Sequence, residues 1–112
     1  MNKITAVIRL AKLQAVQTAL INCGAVGMTA TEVQGYGRQR GHTVSYRGAK
    51  QSVEFHRKLR LEVVVSAEQT QETMAAIVAA SQTGEIGDGK IFVSPVEQTI
   101  RIRTQEQDED AL

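Results

Sequence analysis

Between Thr83 and Lys90 the chain reads Thr-Gly-Glu-Ile-Gly-Asp-Gly-Lys, with Gly84, Gly87 and Gly89 close together and a lysine at the end. Glycines spaced this way let the backbone adopt positive φ, so several N–H groups can turn toward one anion with no Cβ in the way. Lys90 adds a full positive charge. A phosphate is the ligand that this chemistry suits. Gly84 to Lys90 also matches the start of the ATPase phosphate loop, G-x-x-x-x-G-K, but Ile91 stands where a serine or threonine hydroxyl would hold magnesium. The order of elements is wrong for that loop too, because here a helical pattern precedes and a strand pattern follows. What survives is a phosphate cradle of backbone amides over residues 82–90. The plain alternative is an ordinary turn.

Two further clusters point the same way. Arg101 and Arg103 alternate in Gln98-Thr99-Ile100-Arg101-Ile102-Arg103; on a strand they share one face at ~7 Å spacing, comparable to adjacent phosphates, and guanidinium forks suit that target. Solvated arginines on an edge strand are the alternative. Gly35, Gly37 and Arg38 make a third grouping of glycines and a cation.

The elements that position these groups follow from periodicity. Ile4, Ala6 and Ile8 alternate with Thr5, Val7 and Arg9, which predicts a strand with two fairly apolar faces. Leu13, Val16, Ala19, Leu20 and Cys23 fall at helical spacing from Lys12 to Cys23, and Gly24 follows as a stop. Met28 to Val33 is extended again. Leu59, Leu61, Val63 and Val65 mark another strand, with Glu62 and Val64 on its opposite face. Ser66 is placed to cap a helix whose stripe is Met74, Ile77, Val78 and Ser81, ending near Gly84. Lys90 to Val93, stopped by Pro95, and Gln98 to Arg103 complete the set as strands. Residues 37–55 carry no sustained period and read as a long mobile arm, and residues 104–112 read as a flexible, uncompensated acidic tail.

Two βαβ units in tandem predict an α+β, ferredoxin-like fold: an antiparallel sheet with both helices on one face, in a single domain spanning 1–112. The second sheet face is left open and partly apolar through Val7 and Val64, so a homo-oligomer is expected. A formal net charge of +1 gives no case for nucleic acid. Cys23 alone makes no internal disulfide, and no apolar run is long enough to span a membrane, so a soluble, unprocessed, cytoplasmic protein is expected. His42 and His56 are a weak basis for a metal sensor. No paired carboxylates or nucleophile-base pair accompany the glycine loop, which argues against an enzyme, including a small nucleotide hydrolase using Lys90.

Nearly the whole chain resembles the PII signal-transduction proteins, regulators of nitrogen and carbon metabolism. The resemblance rests on Gly27-Met28-Thr29, on Glu32 to His42, on Tyr46-Arg47-Gly48-Ala49, on Thr83 to Val93, and on Pro95 to Arg103. It implies a ferredoxin-like homotrimer that senses effectors rather than turning them over. ATP and ADP would compete for clefts between subunits, held by Thr29, Gly37, Arg38, Glu62, Val64, Gly87, Asp88, Gly89, Lys90, Arg101 and Arg103, with Gly35 at the arm's root. Apolar Val64 suits an adenine, Glu62 and Thr29 suit its polar edges, and the cations suit phosphates. The resemblance further implies 2-oxoglutarate bound through Mg2+ on the ATP phosphates and Gln39, with Lys58 on the distal carboxylate and Arg40, Gly41 and Gly87 assisting. The arm (T-loop, 37–55) would carry the output. Tyr46, Arg47, Gly48, Ala49, Lys50 and Gln51 would meet a membrane transporter, such as an ammonium channel, or a metabolic enzyme, with no insertion into the bilayer itself.

The chain departs from the family pattern at the arm. Position 51 is Gln51, not the tyrosine that many bacterial members have uridylylated, so that modification is excluded there. Lys50, His56 and Arg57 make the arm more basic, and Glu85 stands where a lysine is common. These changes alter the output surface and spare the small-molecule machinery. A regulator of a different transporter, for example one of metal efflux, is the alternative.

Overall fold

Alternation along Asn2–Arg9 produces the first strand, β1, whose Ile4, Ala6 and Ile8 are buried while Lys3, Thr5, Val7 and Arg9 stay half-exposed on the other face. The structure is a computed structural model and describes residues 1–36 and 55–112. A 3-10 turn (Leu10–Lys12) leads into helix α1 (Leu13–Asn22), which buries Val16 and Leu20. The helix stops where a glycine was expected to stop it: Gly24 has φ +87°, its amide donates to the Ile21 carbonyl, and the Ala25 amide donates to Leu20, both at 3.0 Å. That pair of bonds satisfies two terminal carbonyls of the helix. Cys23 is half-buried.

Strands β2 (Thr29–Gly35) and β3 (His56–Val65) follow, then helix α2 (Thr70–Ser81) and strand β4 (Lys90–Pro95). The sheet order is β2-β3-β1-β4, with every neighbouring pair antiparallel. Both helices cover one face. The core there joins Ile4, Ala6 and Ile8 to Leu59, Leu61, Val63 and Val65 and to Val16, Leu20 and Ile77 of the helices. This is the ferredoxin-like α+β arrangement expected from two βαβ units. On the opposite face Val7 and Val64 are half-exposed and Phe92 is 56% exposed.

Three local expectations are corrected. Ser66 does not cap α2 with its side chain; the helix begins four residues later, and the Ser66 carbonyl accepts the Thr70 hydroxyl at 2.9 Å. The buried stripe of α2 is Thr70, Thr73, Ile77 and Ser81, with Met74 half-buried and Val78 exposed. Small hydroxyl residues enter this apolar interface because each bonds a carbonyl four residues back, Thr73 to Gln69 at 2.7 Å and Ser81 to Ile77 at 2.6 Å. Gln98 to Arg103 is not a strand. Only Ile100 makes a bridge, to Gln107, and Ile102 at the turn is 94% exposed. Alternation alone misled there, since a strand needs a sheet edge to pair with, and this stretch pairs with its own continuation.

Candidate functional site

The glycine loop runs from the end of α2 to the start of β4, so a helix precedes it and a strand follows, the reverse of an ATPase phosphate loop. Asp88 organises it from within. Its Oδ2 accepts the amides of Thr83 and Gly84, each at 2.9 Å, and its Oδ1 accepts the Thr83 hydroxyl. Thr83 Oγ1 in turn accepts the Glu85 amide at 3.1 Å. The Thr83 hydroxyl and then the Thr83 amide, joined by the Gly84 amide and Arg9, hold the Asp88 carboxyl well below the usual carboxylate range against a smaller opposing effect of burial. Asp88 was expected as a nucleotide contact; in the structure its carboxylate is occupied inside the loop.

Arg9, at the end of β1, clamps the loop from below. Its Nη2 donates to the Ile86 carbonyl at 2.8 Å and its Nε to Asp88 at 3.3 Å. Gly89 lies so close to β1 that a Cβ on it would stand 1.7 Å from the Val7 carbonyl oxygen, and its φ is +101°. Only glycine fits that position. Gly84 and Gly87 also have positive φ, at +85° and +105°. Lys90, just beyond, is exposed and pairs across the sheet with Val7.

Lys58 joins this loop to the root of the arm. It pairs with Arg9 across β1 and β3, and its Nζ donates to the Gly87 carbonyl. Its stem passes Gly35, where a Cβ would sit 3.1 Å from Lys58 Cγ. Burial, and then the Arg9 guanidinium, lower the Lys58 pKa from 10.5, with Asp88 opposing. Gly35, Lys58, Gly87, Gly89 and Lys90 are therefore gathered at one end of the sheet.

The other predicted residues lie elsewhere. Thr29 and Glu62 are cross-strand partners on β2 and β3, and with Val64 they line a cavity of about 750 Å³ that extends to Gly27 and Lys3. Glu62 has Arg60 Nε at 3.2 Å and Lys3 Nζ at 3.6 Å, so its charge is partnered while one flank stays open to the cavity. The row through Thr29 and Glu62 continues to Thr5 on β1 and Phe92 on β4. Thr29 and Lys90 thus stand on opposite edge strands, three interstrand steps and two residues along the strand apart, ~16 Å in all. Within one chain they do not converge.

Arg101, expected as a nucleotide contact, is engaged by its own terminal segment. Its Nη1 pairs with Glu106 Oε1 at 2.9 Å, and its Nη2 donates to the main-chain oxygens of Leu112 at 3.2 Å and Ala111 at 3.4 Å. The acidic terminal segment is thus compensated in part, and it carries a 3-10 turn at Asp108–Ala111. Arg103 is exposed. Gly37, Arg38, Gln39, Arg40, Gly41, Tyr46, Arg47, Gly48, Ala49, Lys50 and Gln51 lie outside the described residues. Sequence reasoning missed Arg9, and it counted Thr83 in the loop without giving its side chain a role. Arg9 was legible in principle, because once β1 and β3 are aligned it is opposite Lys58 and level with the glycine loop.

The profile of the family described as "Nitrogen regulatory protein P-II" matches residues 1–106. Proteins of that name are 54% identical over 112 residues in Nostoc punctiforme, 52% in Synechocystis and 53% in Pasteurella multocida, each match covering 100% of both chains. These relatives are named as nitrogen regulatory proteins. With its four-stranded antiparallel sheet, its helices on one face and its glycine loop between α2 and β4, this chain belongs to the P-II family of nitrogen regulatory proteins.

Proposed function

We propose that this chain is a nucleotide- and 2-oxoglutarate-sensing regulator that works as a homotrimer in the cytoplasm. ATP and ADP compete for a cleft between subunits. One subunit supplies Thr29, Glu62 and Val64 for the base and Arg101 and Arg103 for phosphates; its neighbour supplies Gly35, Gly37, Arg38, Gly87, Asp88, Gly89 and Lys90. The observation that carries this reading is the separation of Thr29 from Lys90 on opposite edges of one sheet. Two half-sites that cannot meet within a chain meet when the edge of one copy adjoins that of another. The partly apolar open face, with Val7, Val64 and Phe92, favours such packing.

The residues present fit a nucleotide. Positive φ at Gly87 and Gly89 beside exposed Lys90 suits phosphate, and half-exposed Val64, two residues beyond the Thr29–Glu62 pair on the same face, suits a purine with polar edges. Among the described residues no group of three or more His, Cys, Asp or Glu could hold a metal ion. Magnesium would be held by the nucleotide phosphates with Gln39, as the family resemblance implies. Lys58 and Gly87, both assigned to 2-oxoglutarate with Gln39, Arg40 and Gly41, are in direct contact, which supports one shared subsite. Bound effectors would set the conformation of the arm over 37–55, and through Tyr46 to Gln51 the state of a transporter or enzyme.

Calorimetry tests the reading: ATP, ADP and AMP, each with and without Mg2+ and 2-oxoglutarate. ATP and ADP should displace one another, and 2-oxoglutarate should bind only with Mg-ATP. Absence of any nucleotide binding overturns the proposal.

A further inference from the structure

The terminal segment returns on itself and ends in the cavity assigned above to the base. The Gln105 amide donates to the Arg101 carbonyl at 2.7 Å, the Arg101 amide to Glu106 at 2.9 Å, and the Asp108 amide to Thr99 at 2.7 Å. Gln105 and Asp108 take φ of +61° and +54°, in the left-handed region that side chains other than glycine adopt at a cost. The reversal carries Glu109, Ala111 and Leu112 to the lining of the same cavity as Thr29, Glu62 and Val64. It also brings Glu106 and the last two main-chain oxygens onto the Arg101 guanidinium. Oxygens of the chain itself thus occupy the fork that would grip a phosphate.

We propose that residues 106–112 are an internal competitor: the acidic terminal segment occupies Arg101 and narrows the base cavity, and nucleotide binds by displacing it. This rests on the nucleotide reading and adds a regulator to the same site. The contact is suited to exchange. The Arg101–Glu106 pair is partly solvated, with side chains 33% and 45% exposed, and the terminal turn buries no residue. Such a pair is weak enough to yield to a di- or triphosphate, which offers more charge to the same fork. A site that is open only part of the time shows an affinity reduced by the closed fraction. Freeing the site should therefore tighten binding without adding any contact.

The experiment compares ADP affinity by calorimetry in the full chain, in Glu106→Gln, and in a chain ending at Gln105, with circular dichroism as the check on folding. The truncated chain should bind ADP roughly three- to tenfold more tightly, and Glu106→Gln about two- to threefold, as release of a mostly closed site requires. ADP should also speed removal of Leu112 from the full chain by carboxypeptidase. Equal or weaker affinity in both variants overturns the competitor while leaving the nucleotide reading intact. Failure of all three chains to bind ADP or ATP overturns both. Because Glu106→Gln keeps the full length, instability of the shortened chain leaves the comparison decisive.

Discussion

Lys58 donates its ammonium to the Gly87 carbonyl while its stem packs beside Gly35, so one side chain touches both the glycine loop and the residue at the arm's root. A ligand that draws the ammonium away from Gly87 changes contacts at both places at once. Lys58→Met keeps most of the stem and removes the head. It should weaken 2-oxoglutarate binding about tenfold or more, as loss of a charge-assisted bond does, and change ADP affinity little. Titration of the variant with both ligands is the check, and equal losses for the two would assign Lys58 to the fold of the loop.

The environment of Lys58 has a pH signature. Burial and Arg9 lower its pKa in the folded chain below the ordinary 10.5. Between those two values the unfolded chain holds more protons than the folded one, so this group makes stability rise with pH across that window. At neutral pH the charged amine carries the full unfavourable effect. Urea midpoints should show this alkaline rise in the native chain and lose it in Lys58→Met.

Asp88 acts in the opposite pH range. Its folded pKa lies well below the ordinary 3.8, so the stability it contributes is complete above 3.8 and is lost as pH falls from there toward the folded value. Asp88→Asn should flatten the acid limb of the stability profile. It should also weaken nucleotide binding by roughly threefold to tenfold through disorder of the loop, the range for one strong hydrogen bond. Unfolding followed at pH 3 and pH 7, with ADP titration at pH 7, measures both effects.

Two glycines of the same loop should respond differently to alanine. At Gly89 the new methyl would collide with the Val7 carbonyl and φ is positive, so Gly89→Ala should cost at least about 2 kcal/mol. At Gly84 nothing lies within 4 Å and only φ resists, so about 1 kcal/mol is expected. Denaturant midpoints compare them directly, and a reversed order would contradict the close approach of the loop to β1.

Legibility followed physical range. The strands and helices of the sheet were readable because burial repeats with their own period, as at Ile4, Ala6, Ile8 and Leu59 to Val65. Gly24 and Gly89 were readable as special positions, yet only the structure distinguishes a helix stop with open space from a glycine pressed on a neighbouring strand. The terminal region was misread because Ile100 and Ile102 alternate with arginines, and alternation says nothing about which backbone is available to pair. Asp88 was readable as a site residue, but its tie to Arg9 was hidden for a related reason: it depends on residues 79 positions apart meeting across the fold, and no local pattern records that.

The placement of Thr29 and Lys90 on opposite sheet edges has a genetic consequence. In the proposed trimer each cleft borrows one half from each of two chains, so a defect in one half and a defect in the other need not coincide. Lys90→Ala chains and Glu62→Ala chains, each unable to bind ADP alone, should regain one intact cleft whenever both are co-expressed in the same ring. Complementation between two inactive alleles, read as restored ADP binding in the mixed population, would come from geometry alone.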